Sequence, residues 1–98
     1  MDEISEIIKE FIIYPTPQMK QKISNLRVEI EEKINKILGG VFPNKQKLWI
    51  DNDTSDKTRE ITSKVKIKIA IKVKKLSLED VRKGLNELEV EIIEKYSY

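Results

Sequence analysis

The chain has 98 residues, the size of one domain, and a formal net charge of only +2. It contains no cysteine and no histidine, which excludes disulfides, thiolate and imidazole metal sites, and the commonest catalytic base. No nucleophile and base are recognisable together in what remains. We therefore expect a binding protein rather than an enzyme, with no cofactor and no bound metal.

Charged residues make up 37% of the chain, and lysine, glutamate and isoleucine dominate. This composition is typical of hyperthermophile proteins and suggests an archaeon or one of its viruses, although an AT-rich genome would favour the same residues. No apolar run is long enough to span a membrane, and the first residues, Asp2 and Glu3, are acidic where a secretory signal is basic. We therefore expect a cytoplasmic protein without membrane contact.

The N-terminal segment has the spacing of an amphipathic helix. Its apolar residues recur at i, i+3, i+4, i+7 and i+8, on one helical face: Ile4, Ile7, Ile8, Phe11 and Ile12. We predict a first helix over residues 2–13 and keep a strand over residues 11–14 as the alternative. A second helix is predicted over residues 17–38, between an N-cap at Thr16 and a stop at Gly39.

Two strands are predicted in the middle of the chain. The first covers residues 46–51, and a polar turn is expected over residues 52–57. The second begins near residue 59 or 61 and ends near residue 74. It alternates lysines with β-branched residues, which is the pattern of a half-buried strand. Its apolar side chains are Val65, Ile67, Ile69, Ile71 and Val73.

The C-terminal part predicts a third helix over residues 78–87 and a last strand over residues 88–96. The element order is then ααββαβ in a single domain spanning residues 1–98. We expect an α+β two-layer sandwich, in which a small mixed or antiparallel three-stranded sheet has helices packed on one face. If the N-terminal segment is a strand, the order becomes the ferredoxin-like βαββαβ.

The long strand exceeds the expected width of the domain. Residues 61–73 extend about 43 Å at about 3.3 Å each, whereas a domain of this size is about 35 Å across. The strand must therefore bend, overhang the domain or pair with another subunit. A homodimer that extends or covers the sheet is the expected solution, and a bend near Ser63 is the alternative.

The lysines of the long strand point away from its apolar face. Residues 57–75 hold eight basic side chains and one acidic side chain, a local net charge of +7. Lysines neutralise phosphates and an exposed tryptophan stacks on bases, so a hairpin of the two middle strands would form a candidate nucleic-acid site. The predicted site residues are Lys47, Trp49, Lys64, Lys66, Lys68, Lys72 and Lys74.

Two other interpretations of the lysines stay open. Glu89 and Glu91 of the predicted last strand would pair with them across the sheet and leave a solvated or interface surface. Alternatively, the positive strip binds an acidic protein, and the chain is an interaction module such as a regulator, adaptor or inhibitor. The segment from Asp51 matches only the first positions of a calcium-binding loop and is interpreted as a hairpin turn.

Overall fold

The computed structural model describes residues 3–39, 46–57 and 60–97, and within these all side chains except those of residues 20, 52–57 and 60–63. Three strands form one antiparallel sheet, and two helices pack on one of its faces, which confirms the α+β class. The main elements are β1 (Ile4–Ile13), α1 (Leu26–Leu38), β2 (Lys47–Lys57), β3 (Glu60–Lys74) and α2 (Leu78–Tyr96).

β1 replaces the helix that the sequence pattern predicts over residues 2–13. Ile7 and Ile13 are buried, but Ile4 and Ile8 are 62% and 55% exposed, although the helical stripe would have buried them. Because isoleucine is β-branched, it favours a strand where a neighbouring strand is present, and β3 pairs with every residue of β1. The alternative, a strand over residues 11–14, correctly predicted a strand in this segment but overlaps only the end of β1.

α2 continues through the region predicted to be a last strand over residues 88–96. Val90, in the middle of that region, is 54% exposed, because the inward side chains keep helical spacing to the end of the element. Those side chains are Val81, Leu85, Leu88, Ile92 and Tyr96. The order is therefore βαββα instead of ααββαβ. It matches the first five elements of the ferredoxin-like alternative, and the described residues contain no fourth strand.

β3 is the central strand of the order β1-β3-β2. β1 pairs with its second half, from Val65 to Lys74, whereas β2 pairs with residues 60–70. Within the described residues, positions 60–64 thus have a partner in β2 and none in β1. The β2–β3 hairpin overhangs the three-stranded part, and the molecule is 57 Å long but only 21 and 20 Å across.

This overhang resolves the length of the predicted strand within one chain. The polar residues 52–57, predicted as a turn, are strand residues paired with residues 60–65. They adopt strand geometry because β3 offers a backbone partner at each position. The connection at residues 58 and 59 lies outside the described residues.

The core lies between the sheet and the helices. The apolar side chains of β3 line it, as their period of two predicts, and most of them are completely inaccessible. Each buried side chain of this size stabilises the fold by roughly 1.5–3 kcal/mol relative to exposure. The residues with 0% exposure in β3 and α1 are Val65, Ile67, Ile69, Ile71, Leu26, Ile30 and Ile34.

The ends of α1 follow different rules. A 3₁₀ helix, Lys20–Asn25, precedes α1, so the α-helix begins later than predicted. The hydroxyl of Thr16, the predicted N-cap, accepts a hydrogen bond from the Met19 N–H at 3.3 Å within the preceding turn. At the other end, Gly39 has a φ of 71°, the left-handed conformation that stops a helix, as predicted.

The two helices approach each other closely at Gly84. A Cβ at this position of α2 would lie 2.9 Å from Cγ2 of Ile37 in α1. The glycine therefore lets α2 approach the other helix closely at this point. Close helix packing offsets a helix-propensity cost of about 1 kcal/mol.

Candidate binding face

The side of the sheet opposite the helices, called the outer face here, gathers the predicted site. Lys47 lies beside Ala70 and Trp49 beside Lys68, so these β2 residues share a face with the even-numbered residues of β3. All seven predicted residues lie on it: Lys47, Trp49, Lys64, Lys66, Lys68, Lys72 and Lys74. The even-numbered residues of β1 complete it: Ile4, Glu6, Ile8, Glu10 and Ile12.

Trp49 makes the most specific contact on the outer face. Its side chain is 42% exposed, and Nζ of Lys68 lies 5.2 Å from the centre of the ring, a cation–π distance. The same Nζ lies 3.8 Å from Oε1 of Glu10. Lys68 therefore links β2 to β1 across the outer face and supports the tryptophan at the surface.

Carboxylates also occur on the outer face. Glu6 and Glu10 of β1 and Asp51 of β2 lie directly opposite lysines of β3. Of these three cross-strand pairs, one forms an ion pair among the described side chains, that of Glu10 with Lys68. Six lysines thus face three carboxylates on the described outer face, and its potential is positive.

Glu89 and Glu91 do not lie on the outer face, which corrects the expectation that they neutralise the lysines. Both belong to α2, on the opposite side of the sheet. Oε2 of Glu89 lies 2.5 Å from Nζ of Lys9, and Oε2 of Glu91 lies 2.5 Å from Nζ of Lys33. The acidic side chains described on the outer face are supplied by β1 and β2.

A shallow depression of about 830 Å³ crosses the outer face. Between Lys64 and Lys74, Ala70 is the one outer-face position of β3 that lacks a lysine, and its small side chain lies between Ile8 on β1 and Lys47 on β2. Trp49 and Ile4 add to the apolar lining, and lysines border it. The depression therefore has an apolar floor with cations around it.

β1 contributes site residues that the sequence interpretation missed. Ile4 and Ile8 line the depression, and Glu10 forms the ion pair with Lys68. The helical prediction did not place these residues in the sheet. The even positions of residues 4–12 read Ile-Glu-Ile-Glu-Ile, so the isoleucines recur every four residues. That spacing fits a helix as well as a strand, and the sequence alone gives no signal that separates the two.

A charged cluster joins α1 to α2 on the other side of the sheet. Burial raises the pKa of Glu29, but hydrogen bonds from Lys95 at 2.8 Å and from the Tyr96 hydroxyl outweigh it. The pKa of Glu29 is therefore lowered from its usual value. Burial and the hydrogen bond to Glu29 raise the pKa of Tyr96 to about 12. The hydrogen bond to Glu91 raises the pKa of Lys33, against the effect of burial. These groups bind one another, so the cluster stabilises the contact between α1 and α2.

Among the described residues, no group of three or more acidic side chains is arranged to hold a metal ion. Neither helix in that part of the chain has the length and hydrophobicity needed to cross a membrane. Comparison of the chain with protein-family models, curated proteins and solved structures finds no match. The function is therefore inferred from the chemistry of the outer face.

Proposed function

We propose that this chain is a small non-enzymatic protein that binds single-stranded nucleic acid on the outer face. The observation that carries the proposal is the order of side chains along β3: three lysines, the apolar floor at Ala70, and two further lysines. Phosphates would bind the lysines on both sides, and a base would lie on the floor beside Trp49.

The spacing of the lysines suits a nucleic-acid backbone. Alternate residues of a β-strand are about 6.6 Å apart, which is comparable to the distance between successive phosphates of an extended single strand. Within the described residues, the side chains of Lys64, Lys66 and Lys72 make no ion pair. Their charge is therefore available to phosphates without the loss of an existing contact.

The exposed ring of Trp49 favours a single strand over a duplex. Stacking of a base on an aromatic side chain contributes about 1–3 kcal/mol, as judged by alanine substitution. A duplex keeps its bases stacked on one another and would present only phosphates to this surface. The depression beside the ring offers an unpaired base both an aromatic and an aliphatic contact.

An acidic protein is the second candidate ligand. Ile4 and Ile8 expose apolar surface next to the lysines, and protein partners bind such a combination of apolar and positive side chains. The chain would then be an interaction module such as a regulator, adaptor or inhibitor. With either ligand, the proposed working form is a cytoplasmic homodimer without a cofactor.

Fluorescence titration distinguishes the two ligands. A labelled oligonucleotide of about twenty residues, single- or double-stranded, is titrated at about 50 and 200 mM salt. Anisotropy and the emission of Trp49, the one tryptophan of the chain, are followed together. We expect tighter binding of the single strand, quenching of Trp49 and a steep loss of affinity with salt. Absence of binding at low salt contradicts the nucleic-acid proposal and favours the acidic protein.

Matched lysine variants test whether the outer face is the site. The face variant replaces three lysines by alanine: Lys64, Lys66 and Lys68. The control variant replaces three exposed lysines on the helical elements: Lys22, Lys36 and Lys83. Three lost phosphate contacts should lower the slope of log affinity against log salt by about 2 in the face variant only. Equal losses in both variants would mean that net charge, and not this face, causes binding.

A further inference from the structure

The two edges of the sheet differ in how their backbone groups are covered. At the β2 edge, Nη1 of Arg27 donates to the Leu48 carbonyl at 3.1 Å. Beyond the end of β2, the buried side chain of Gln46 covers the backbone of β3, since its Oε1 accepts from the Lys72 N–H at 2.9 Å and its Nε2 donates to the Lys72 carbonyl at 3.3 Å. Among the described residues, the outward backbone groups of Ile4–Ile13 have no such partner. β1 is therefore an open edge.

Exposed apolar side chains border this open edge in both layers of the molecule. In the sheet layer, Ile4, Ile8 and Tyr14 are 62%, 55% and 48% exposed. In the helix layer, Val90 and Ile93 of α2 are 54% and 37% exposed. Apolar surface concentrated along one edge indicates an interaction site.

Contacts of Lys9 show which side of α2 lies toward the open edge. Its Nζ lies 2.9 Å from Oδ1 of Asn86 and 2.5 Å from Oε2 of Glu89. Residues three and four apart lie on the same side of a helix, so Asn86, Val90 and Ile93 form one stripe. This stripe continues the β1 edge into the helix layer.

We propose that a second copy of this chain binds the open edge, with β1 of one copy antiparallel to β1 of the other. A two-fold axis perpendicular to the sheet would join the two sheets into one sheet of six strands, with four helices on one side. The same axis brings the two α2 helices side by side. Val90 and Ile93 of both copies then become buried.

Area and closure favour a second copy over a strand from another protein. The 10 residues of β1 make an edge about 33 Å long. With a molecular depth of 20 Å, this edge offers about 700 Å² per copy, close to the about 800 Å² per partner of a stable interface. One added strand would cover β1 but leave the α2 stripe exposed. Because a two-fold interface uses the same surface on both copies, pairing through β1 ends at a dimer and does not propagate into a fibre.

The interface bears on the ligand site without depending on it. An axis perpendicular to the sheet keeps both outer faces on one side, so two rows of lysines would flank the paired β1 strands. The inference rests on the homodimer proposed above and not on the nature of the ligand. A dimer that binds no nucleic acid would leave it intact.

Sedimentation of the full-length chain and two matched valine variants tests the interface. Val90→Lys places a charge on the α2 stripe, whereas Val28→Lys alters a valine of α1 with nearly the same exposure, 56% against 54%. We expect the unaltered chain and Val28→Lys to be dimers. The dissociation constant of the Val90→Lys dimer should be higher by a factor of about ten or more. Circular dichroism verifies that each variant is folded. A monomeric unaltered chain, or equal dissociation in both variants, would overturn the proposal.

Amide hydrogen exchange provides a second readout that needs no variant. As the mass doubles with rising concentration, exchange should slow at the outward amides of Ile4–Ile13 and stay constant along β2. Constant exchange along β1 through dimerisation would place the interface elsewhere. The oligonucleotide titration is scored separately, so failure of the ligand proposal and failure of the interface proposal are distinguishable.

Discussion

Lysines on the two sides of the sheet have different partners. On the helix side, three of them reach a glutamate within 2.8 Å: Lys9, Lys33 and Lys95. On the outer face, the ion pair of Lys68 with Glu10 is 3.8 Å long, and Lys66 makes none among the described residues. A lysine that lies between two packed elements thus stabilises the contact between them. On the outer face, which a single layer carries, Lys64, Lys66 and Lys72 make no ion pair among the described residues.

The supply of carboxylates explains this difference. α2 places Glu89 and Glu91 directly above lysines of β1 and α1, and α1 places Glu29 beside Lys95. Within the described residues no second layer covers the outer face, and the carboxylates opposite its lysines belong to neighbouring strands: Glu6, Glu10 and Asp51. Matched substitutions on the two sides should therefore have different effects.

Loss of apolar contact on the helix side should destabilise the fold most. Ile69→Ala removes a fully buried side chain and leaves a cavity, and we expect the free energy of unfolding to fall by about 2–5 kcal/mol. Lys66→Ala, on the outer face of the same strand, should change it by less than about 0.5 kcal/mol. Urea denaturation followed by circular dichroism measures both. Similar losses would show that the two faces of β3 are not divided in this way.

The buried hydroxyl of Tyr96 should have the next largest effect. Tyr96→Phe removes its hydrogen bond to Glu29 and should cost about 1.5 kcal/mol at neutral pH, a value typical of a bond to a charged group. Because the folded pKa of Tyr96 is raised to about 12, the unfolded chain loses this proton first as pH rises. The contribution of the hydroxyl is therefore complete below the unfolded pKa of 10.0 and is lost as pH approaches 12.

Denaturation at neutral and strongly alkaline pH checks this sign. The difference in stability between the unaltered chain and Tyr96→Phe should shrink above pH 10, because only the former carries the titrating group. The remaining ionisable groups are the same in both proteins, so their contributions to stability cancel in the difference. A difference that stays constant or grows with pH would contradict the proposed hydrogen bond.

Lys9 gives the smallest effect and the sharpest comparison between the two sides. Lys9→Met keeps the aliphatic stem but leaves Asn86 and Glu89 without their shared partner, and should cost about 1 kcal/mol, since the pair is partly exposed. Lys66→Met, the matched change on the outer face, should leave stability nearly unchanged. Urea denaturation of both variants measures the two changes in the free energy of unfolding. An equal cost for both would mean that the ion pair of Lys9 adds nothing.

The sequence was most informative for β3 and the surface it carries. Lysines and β-branched residues alternate without a break from Lys64 to Ile69, and one strand face is the simplest way to separate them. The short stretch with Leu48 and Trp49 was correctly assigned for the same reason. These patterns are local, so no knowledge of neighbouring elements was needed.

The termini could not be assigned by pattern alone. The isoleucines of β1 fit both a helical stripe and two strand faces, and the choice depends on pairing with β3, which is distant in sequence. In α2, alternation around Val90 imitates a strand, but Leu85, Leu88 and Ile92 continue a helical row that packs into the core. Tertiary contacts decide both cases, and with them which glutamates share the outer face.

The strand order implies a sequence of events in folding. β2 and β3 are neighbours in the chain, whereas Ile4 pairs with Lys74 and Ile13 with Val65. Bringing such distant segments together costs chain entropy, and contacts of this kind form slowly. The hairpin should therefore form before β1 joins it, and the isoleucines of β3 stay uncovered until the helices pack against them. During that interval, repulsion between the lysines of different chains would protect the hairpin from aggregation, whatever ligand they later bind.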